Sequence, residues 1–357
     1  MHHTATAHIN LAALNHNLQR VKSLAQGSAV LAMIKANAYG HGLLRVANAL
    51  QDADAFGVAR IDEALQLFRY HSDKNIVVMA GFQDADELQR MAAFGLVPVV
   101  HTLQQVELLE QISVTKAVTV WLKIDTGMHR LGFSPEEAGQ AYERLSQCPH
   151  VAKPITTFTH FAEADELEHP KTKQQLNIFN QTVKWPGPKS LANSAGIIAW
   201  PQSHADWVRP GIMLYGASPF PERLAFEFDL QPVMTLSSEL IAIHDFHQGD
   251  EIGYGGTWVC PSDIRMGVAA VGYGDGYPRH AKNGTPVLVD NVMCTLAGRV
   301  SMDLITIDLS NHPRAKVGDC VVLWGEGLPI EKVALCANTI AYELLCHVTP
   351  RVRFLES

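Results

Sequence analysis

With 357 residues, 28 Lys plus Arg, 36 Asp plus Glu and a net charge of −8, the chain has room for two domains or for one barrel with an appendage. Apolar residues make up 47% and charged residues 18%, which argues against disorder, collagen and coiled coil and for a packed globular protein. The acidic balance, with no dense Lys/Arg run, argues against nucleic acid or an anionic membrane as partner.

In chain order, the first seven residues lack the cationic segment and apolar core of a secretion signal, and no later apolar stretch approaches the ~18 residues that span a bilayer. A cytoplasmic protein is expected. A helix begins near Leu11, capped by Asn10, with Leu11, Leu14, Leu18 and Val21 on one stripe. A regular alternation follows. Strands are predicted at Ala29–Ile34, Ala55–Val58, Asn75–Met79, Val97–Val100, Ala117–Ile124, Pro154–Thr159, Lys189–Ala192 and Asp206–Val208. Helical patterns fall between them at Ile61–Tyr70, Asp84–Phe94, Thr102–Ile112 and Ser134–Gln147. Eight βα repeats are what an α/β fold of the (β/α)8 TIM-barrel type requires.

The texture changes near Phe226. Runs at Thr235–Ile243, Ile264–Val271, Pro286–Val289, Leu304–Leu309 and Cys320–Leu323 are β-rich and separated by Gly, Asp and Pro, with one helical pattern near Glu331–Ala341. The expected organisation is a barrel over residues 1–225 and a mostly β domain over residues 226–357. The six cysteines lie at least ten residues apart, so neither a Cys-x-x-Cys metal or redox site nor a disulfide scaffold is expected.

A (β/α)8 barrel builds its active site at the C-terminal ends of its strands. Lys35, Arg130, His160, Asn193, Ser194 and Arg209 all fall at or just after predicted strand ends. A lysine held there can be desolvated, which lowers its pKa and frees the amine as a nucleophile; the alternative is a lysine snorkelling at the rim. The segment Ala32-Met33-Ile34-Lys35-Ala36-Asn37-Ala38-Tyr39-Gly40-His41-Gly42 resembles the pyridoxal phosphate (PLP) attachment motif of the alanine racemase family. Family-like motifs recur in order at Lys123–Phe133, Thr159–Ala162, Ala192–Ala195, Val208–Gly216, Gly272–Arg279, Gly298–Asp303 and Thr339–Glu343.

The resemblance implies a PLP-dependent alanine racemase, a homodimer with shared active sites, whose small-molecule substrate is alanine. It supplies D-alanine for peptidoglycan or takes part in alanine catabolism. Racemisation removes a proton from one face of the α-carbon and returns one to the other, so two acid/base groups are needed. The resemblance assigns these to Lys35, which also attaches the cofactor, and to Tyr273, which enters from the other subunit. On sequence alone Tyr273 reads equally as a core or interface residue. Arg209 takes the position facing the pyridine nitrogen; a guanidinium has donors and no acceptor, so it leaves that nitrogen unprotonated. His160 stands where the family bonds the catalytic tyrosine and this arginine, and Ser190 where some relatives carry His.

Phosphate binding is implied for Tyr39, Ser194, Gly211, Ile212 and Tyr342, with Asn193 either beside them or capping a helix. Arg130 and Met302 map to the substrate carboxylate, which a guanidinium grips through two parallel bonds. Lys123 corresponds to a lysine often carbamylated in the family, or else is a structural lysine facing solvent. Arg299 and Asp303 line the entrance or stabilise a turn. No metal is implied. The rivals are a broader amino-acid racemase, because one methylene discriminates by only ~1–3 kcal/mol, and a non-catalytic PLP-binding barrel.

Overall fold

The computed structural model describes residues 5–356, which group into two compact units. One comprises Leu18–Ala38 and Gly42–Leu214; the other comprises the segment up to Asn17, Tyr39–His41 and the chain from Tyr215 onward.

The strand β1 (Thr6–Ile9) precedes helix α1 (Leu11–Leu24), whose start is fixed by Asn10 Oδ1 accepting from Ala13 N–H at 2.9 Å. The first unit is then a closed barrel of eight parallel strands, β2 (Ala29–Met33), β3 (Ala55–Val58), β4 (Asn75–Val78), β5 (Val97–Val100), β6 (Trp121–Lys123), β7 (Thr156–Phe158), β8 (Lys189–Ser190) and β9 (Trp207–Val208). The sheet closes where β2 pairs with β9, Ala29 opposite Trp207. These strands read as continuous apolar runs because both faces are covered, one by the barrel interior and one by helices.

Between the strands lie α2 (Lys35–Tyr39), α3 (Leu43–Ala49), α4 (Ile61–Phe68), α5 (Ala85–Ala93), α6 (Leu103–Gln111), α7 (Pro135–Gln147), α8 (Lys171–Thr182) and α9 (Ser194–Ala199). Their starts follow the cap chemistry in the sequence. Ser134 and Glu137 form a reciprocal capping box on α7, and Asp84 and Thr102 cap α5 and α6 through the third amide beyond each. All eight predicted barrel strands are present, mostly shorter by one to several residues at their ends.

The second unit is built on β10 (Met234–Phe246), β11 (Glu251–Ile252), β12 (Trp258–Val259), β13 (Ile264–Ala269), β14 (Pro286–Val289), β15 (Val292–Leu296), β16 (Ile305–Asp308), β17 (Cys320–Trp324) and β18 (Arg353–Glu356), with α10 (Ile330–Cys336) and α11 (Ala341–His347). Its main sheet runs β13-β16-β15-β14-β17-β10-β1-β18, and β13 also pairs with β10. The long β10 serves both partners by a bulge between Leu240 and Ala242. Three of its members, β1, β15 and β18, were not evident in sequence, nor were β11 and β12. β1 joins between β10 and β18 from the far end of the chain, and β15 follows β14 after a two-residue turn at Asp290 and Asn291, both with positive φ (45° and 64°). The helix predicted near Glu331–Ala341 is two helices, α10 ending at Cys336 and α11 starting at Ala341.

Candidate active site

At the C-terminal end of β2 the backbone enters an unusual conformation. Lys35 opens α2, which is a single left-handed turn: Ala36, Asn37, Ala38 and Tyr39 all have φ between 51° and 54°, and Gly40 (81°) and Gly42 (97°) stay on the same side. Each non-glycine residue there costs roughly 1–2 kcal/mol, so the turn must be held from outside. Glu63 of α4 does part of this, its Oε1 accepting from Ala36 N–H at 2.7 Å while Oε2 accepts from Ala59 N–H at 2.8 Å. Asn37 closes the turn, with Oδ1 accepting from Leu43 N–H (2.8 Å) and its carbonyl from Gly42 N–H (2.9 Å).

Four cations gather at this end of the barrel. Arg209, after β9, is 3% exposed. Its Nη1 donates to Ser190 Oγ at 2.7 Å, and its Nη2 to the carbonyls of Thr159 (2.6 Å) and Leu191 (3.1 Å), with His160 Nδ1 at 3.4 Å. Among the described residues none of its partners is a carboxylate. Burial pulls its pKa down to about 9, so it remains a cation at neutral pH.

Lys123, at the end of β6, is 8% exposed and lies 5.3 Å from the Phe158 ring centre. It has no hydrogen-bond partner among the described residues. Burial first, then Arg209 and Arg130, pull its pKa to about 8; Asp125 opposes this and Lys35 adds to it. The reading of Lys123 as a solvent-facing lysine is therefore corrected: its ammonium is enclosed and crowded by like charge. The same burial, then Arg209, Lys123, Arg130 and Lys35, hold His160 well below the usual imidazole range, so His160 is neutral. The carboxylate beside them, Asp125, is committed elsewhere. Its Oδ1 accepts from the N–H groups of Gly127, Met128 and His129 at 2.9–3.1 Å. Burial pushes Asp125 up, but these bonds outweigh it and the group stays below its ordinary value.

Beside this cluster, Ser194 opens α9. Its Oγ accepts from Gly211 N–H at 2.9 Å, while Asn193 Oδ1 accepts from Gly196 N–H at 2.9 Å and caps the helix. Ile212 is fully buried. Of the residues in the other unit, Tyr39 stacks on Tyr215 with ring centres 4.7 Å apart, and lies 6.0 Å from Tyr342. Burial, then Tyr342, raises the Tyr39 phenol far above its ordinary value, leaving it a neutral donor.

Tyr273 and Met302 stand together on adjoining loops of that unit. Tyr273 N–H donates to Ser301 O (3.1 Å) and Gly274 N–H to Met302 O (2.8 Å). A Cβ on Gly272 would lie 2.3 Å from Met302 O, so only glycine permits this approach. The loop leaves Tyr273 40% and Met302 52% exposed. Arg351 binds Asp303 at 2.7 Å and Asp275 at 3.4 Å, which gives Asp303 a turn-stabilising partner.

Sequence reading passed over two polar contributors, Glu63 under the left-handed turn and the buried Gln175 of α8, whereas Ser190, singled out beside Arg209, does accept from its Nη1. A signal existed for Gln175. It falls among Thr172, Leu176 and Phe179 on the inward stripe of its helix, where an amide needs partners.

Comparison with known proteins identifies the family. The family model described as alanine racemase, N-terminal domain, matches residues 9–219, and that of the alanine racemase C-terminal domain matches residues 233–355. A curated alanine racemase of Aeromonas hydrophila is 53% identical over 353 residues, covering 99% of both chains. The crystal structure of a biosynthetic alanine racemase from Pseudomonas aeruginosa superimposes with TM-score 0.97 at 42% identity, covering 99% of each chain. An alanine racemase from Bartonella henselae, solved with covalently bound pyridoxal phosphate, gives TM-score 0.90 at 27% identity, again covering 99% of each. The chain belongs to the alanine racemase family.

Proposed function

We propose that this chain, which interconverts L- and D-alanine as its family does, works with PLP attached to Lys35 and uses two bases from two subunits. The observation that carries the reading is the concentration of Lys35, Lys123, Arg130 and Arg209 at one barrel end, where the nearby carboxylate of Asp125 is bonded to the amides of Gly127, Met128 and His129. Lys123 and Arg209 are buried, Lys35 is half-buried and Arg130 is exposed, and two enclosed cations side by side are costly unless an anion joins them. A phosphorylated cofactor and an amino-acid carboxylate supply that anionic charge, so the residues present fit the group. Ser194 with the Gly211 and Ile212 backbone, Tyr39 and Tyr342 are the candidates for its phosphate, with Asn193 beside them, and Arg209 and His160 for its ring.

When bound, PLP supplies an electron-withdrawing ring that acidifies the α-hydrogen of alanine. Lys35 Nζ then takes or returns the proton on one face. Tyr273 of the partner subunit does so through Oη on the other face, which suits its exposed loop position and that of Met302 beside it. Arg130 grips the substrate carboxylate. Arg209 has only donors to offer, so it would hold a ring nitrogen without giving it a proton and would weaken the electron sink, which favours return of the proton to the α-carbon. Lys123, as a crowded amine with a pKa near 8, is a good nucleophile toward carbon dioxide, and its carbamate would place a negative charge between Arg130 and Arg209. The barrel unit, Leu18–Ala38 with Gly42–Leu214, would carry Lys35 and the cofactor's ring, and the chain from Tyr215 onward would complete the partner's site. Six free thiols suit a reducing cytoplasm, where D-alanine serves peptidoglycan or catabolism.

The test is direct. Purified protein should absorb in the near-visible region and lose that band in Lys35→Ala, and solvent deuterium should enter the α-carbon of alanine. A coloured protein that never exchanges this hydrogen would be a PLP carrier.

A further inference from the structure

The buried face of α8 carries Gln175, a carboxamide with no exposed surface. An amide in such a place costs on the order of 2–7 kcal/mol if its groups go unpaired; here three of its bonds are made. Oε1 accepts from Ala162 N–H at 2.9 Å. Nε2 donates to His160 O at 3.0 Å and to Thr126 Oγ1 at 3.2 Å. Two of these partners belong to the segment after β7, and the third to the loop after β6. One side chain therefore ties two adjacent strand ends together.

Both ends carry active-site groups. Thr126 Oγ1 lies 2.7 Å from Thr159 Oγ1, and Thr159 O accepts from Arg209 Nη2 at 2.6 Å. Arg209 has four contacts, and two of them, Thr159 O and His160 Nδ1, come from the stretch that Gln175 clamps from behind. On the β6 side Gly127 follows Thr126 with φ 135°, and a Cβ there would sit 3.5 Å from Gln175 Cγ. Through Thr126, the loop leading to Arg130 is bonded to the same side chain.

We infer that Gln175 is a positioning residue for Arg209 and His160, holding the Thr159–Ala162 backbone at the height where Thr159 O meets the guanidinium. This rests on the reading of Arg209 as the group against the cofactor's ring nitrogen, and extends it one layer outward. The barrel offers an internal control. Gln105 of α6 is likewise buried and bridges neighbouring strand ends through Phe82 O (2.9 Å) and His101 N–H (2.8 Å), but none of its bonds reaches the cation cluster.

The experiment compares PLP-loaded Gln175→Met, Thr126→Val, Gln105→Met and Arg209→Lys with the parent enzyme. It measures melting temperature, racemisation, the pH titration of the near-visible band, and pyruvate released from alanine as the amino group passes to the cofactor. Gln175→Met and Thr126→Val should slow racemisation by on the order of tenfold to a hundredfold. They should also shift the band and raise pyruvate per racemisation in the same direction as Arg209→Lys. Gln105→Met should lower the melting temperature and move neither. If Arg209→Lys moves band and ratio while Gln175→Met and Thr126→Val lose only stability, Gln175 is a structural staple and the inference falls. If Arg209→Lys moves neither, the reading of Arg209 falls and takes the inference with it. Thr126→Val cuts the same bond from the other side and keeps the question decidable should Gln175→Met fail to fold.

Discussion

Lys123 shows how one enclosed charge becomes a property of the whole protein. Its pKa falls from 10.5 to about 8, so the folded chain releases a proton that the unfolded chain keeps until higher pH. Below about pH 8 both states carry the ammonium and the folded state bears the full cost of enclosing it. As pH rises from about 8 to about 10.5 that cost is relieved, and stability increases. In bicarbonate-free buffer, Lys123→Met should therefore stabilise the protein at pH 7 by on the order of 2–3 kcal/mol and flatten the stability curve above pH 8. Denaturant unfolding across that range measures it. An equal rise with pH in the variant would show that Lys123 is not the source. Arg209 differs because Nη1 and Nη2 find hydroxyl and backbone acceptors and a guanidinium starts from a higher pKa, so that burial still leaves it charged above the range where Lys123 loses its proton.

The element that most constrains the site is the left-handed turn α2. Four consecutive non-glycine residues with φ near 50° hold stored strain, because L side chains crowd the following carbonyl in that region. Ala36 is exposed, so Ala36→Gly removes strain without emptying a packed position. It should raise stability by up to about 1 kcal/mol, read as a higher melting temperature; a lower one would mean that the turn is relaxed. Gly40 is the opposite case. A Cβ there would lie 2.1 Å from the Leu345 carbonyl oxygen, at φ 81°, so Gly40→Ala should cost several kcal/mol and reduce soluble yield. The two substitutions a few residues apart thus carry opposite signs, for reasons that residue type alone does not reveal.

At the scale of the whole molecule, the proposed pair of bases from two subunits would make activity a property of the dimer. In a C2 dimer each site would combine Lys35 of one chain with Tyr273 of the partner subunit. Lys35→Ala and Tyr273→Phe should each be inactive as pure dimers. Mixed and re-equilibrated in equal amounts, they should form about one half heterodimers, each with one intact site, and recover about a quarter of the parent rate. Recovery after mixing is the measurement, and none at any ratio would place both bases in one chain.

Local periodicity was enough to set out the eight barrel strands, the first helix and five strands of the second unit, β10, β13, β14, β16 and β17, because alternation and cap residues act over a few positions. The motifs at strand ends identified the family for the same reason: a short segment keeps its chemistry wherever it folds. β1 escaped notice because a four-residue strand is defined by β10 and β18, more than 200 positions away. β15 was missed because the Asp290–Asn291 turn gives only a weak hairpin signal. The enclosure of Lys123, the neutrality of His160, the hold of Glu63 on Ala36 and the three bonds of Gln175 depend on how strand ends distant in sequence converge. Burial and Coulomb energy depend on distances in space, and only the closed barrel sets those distances.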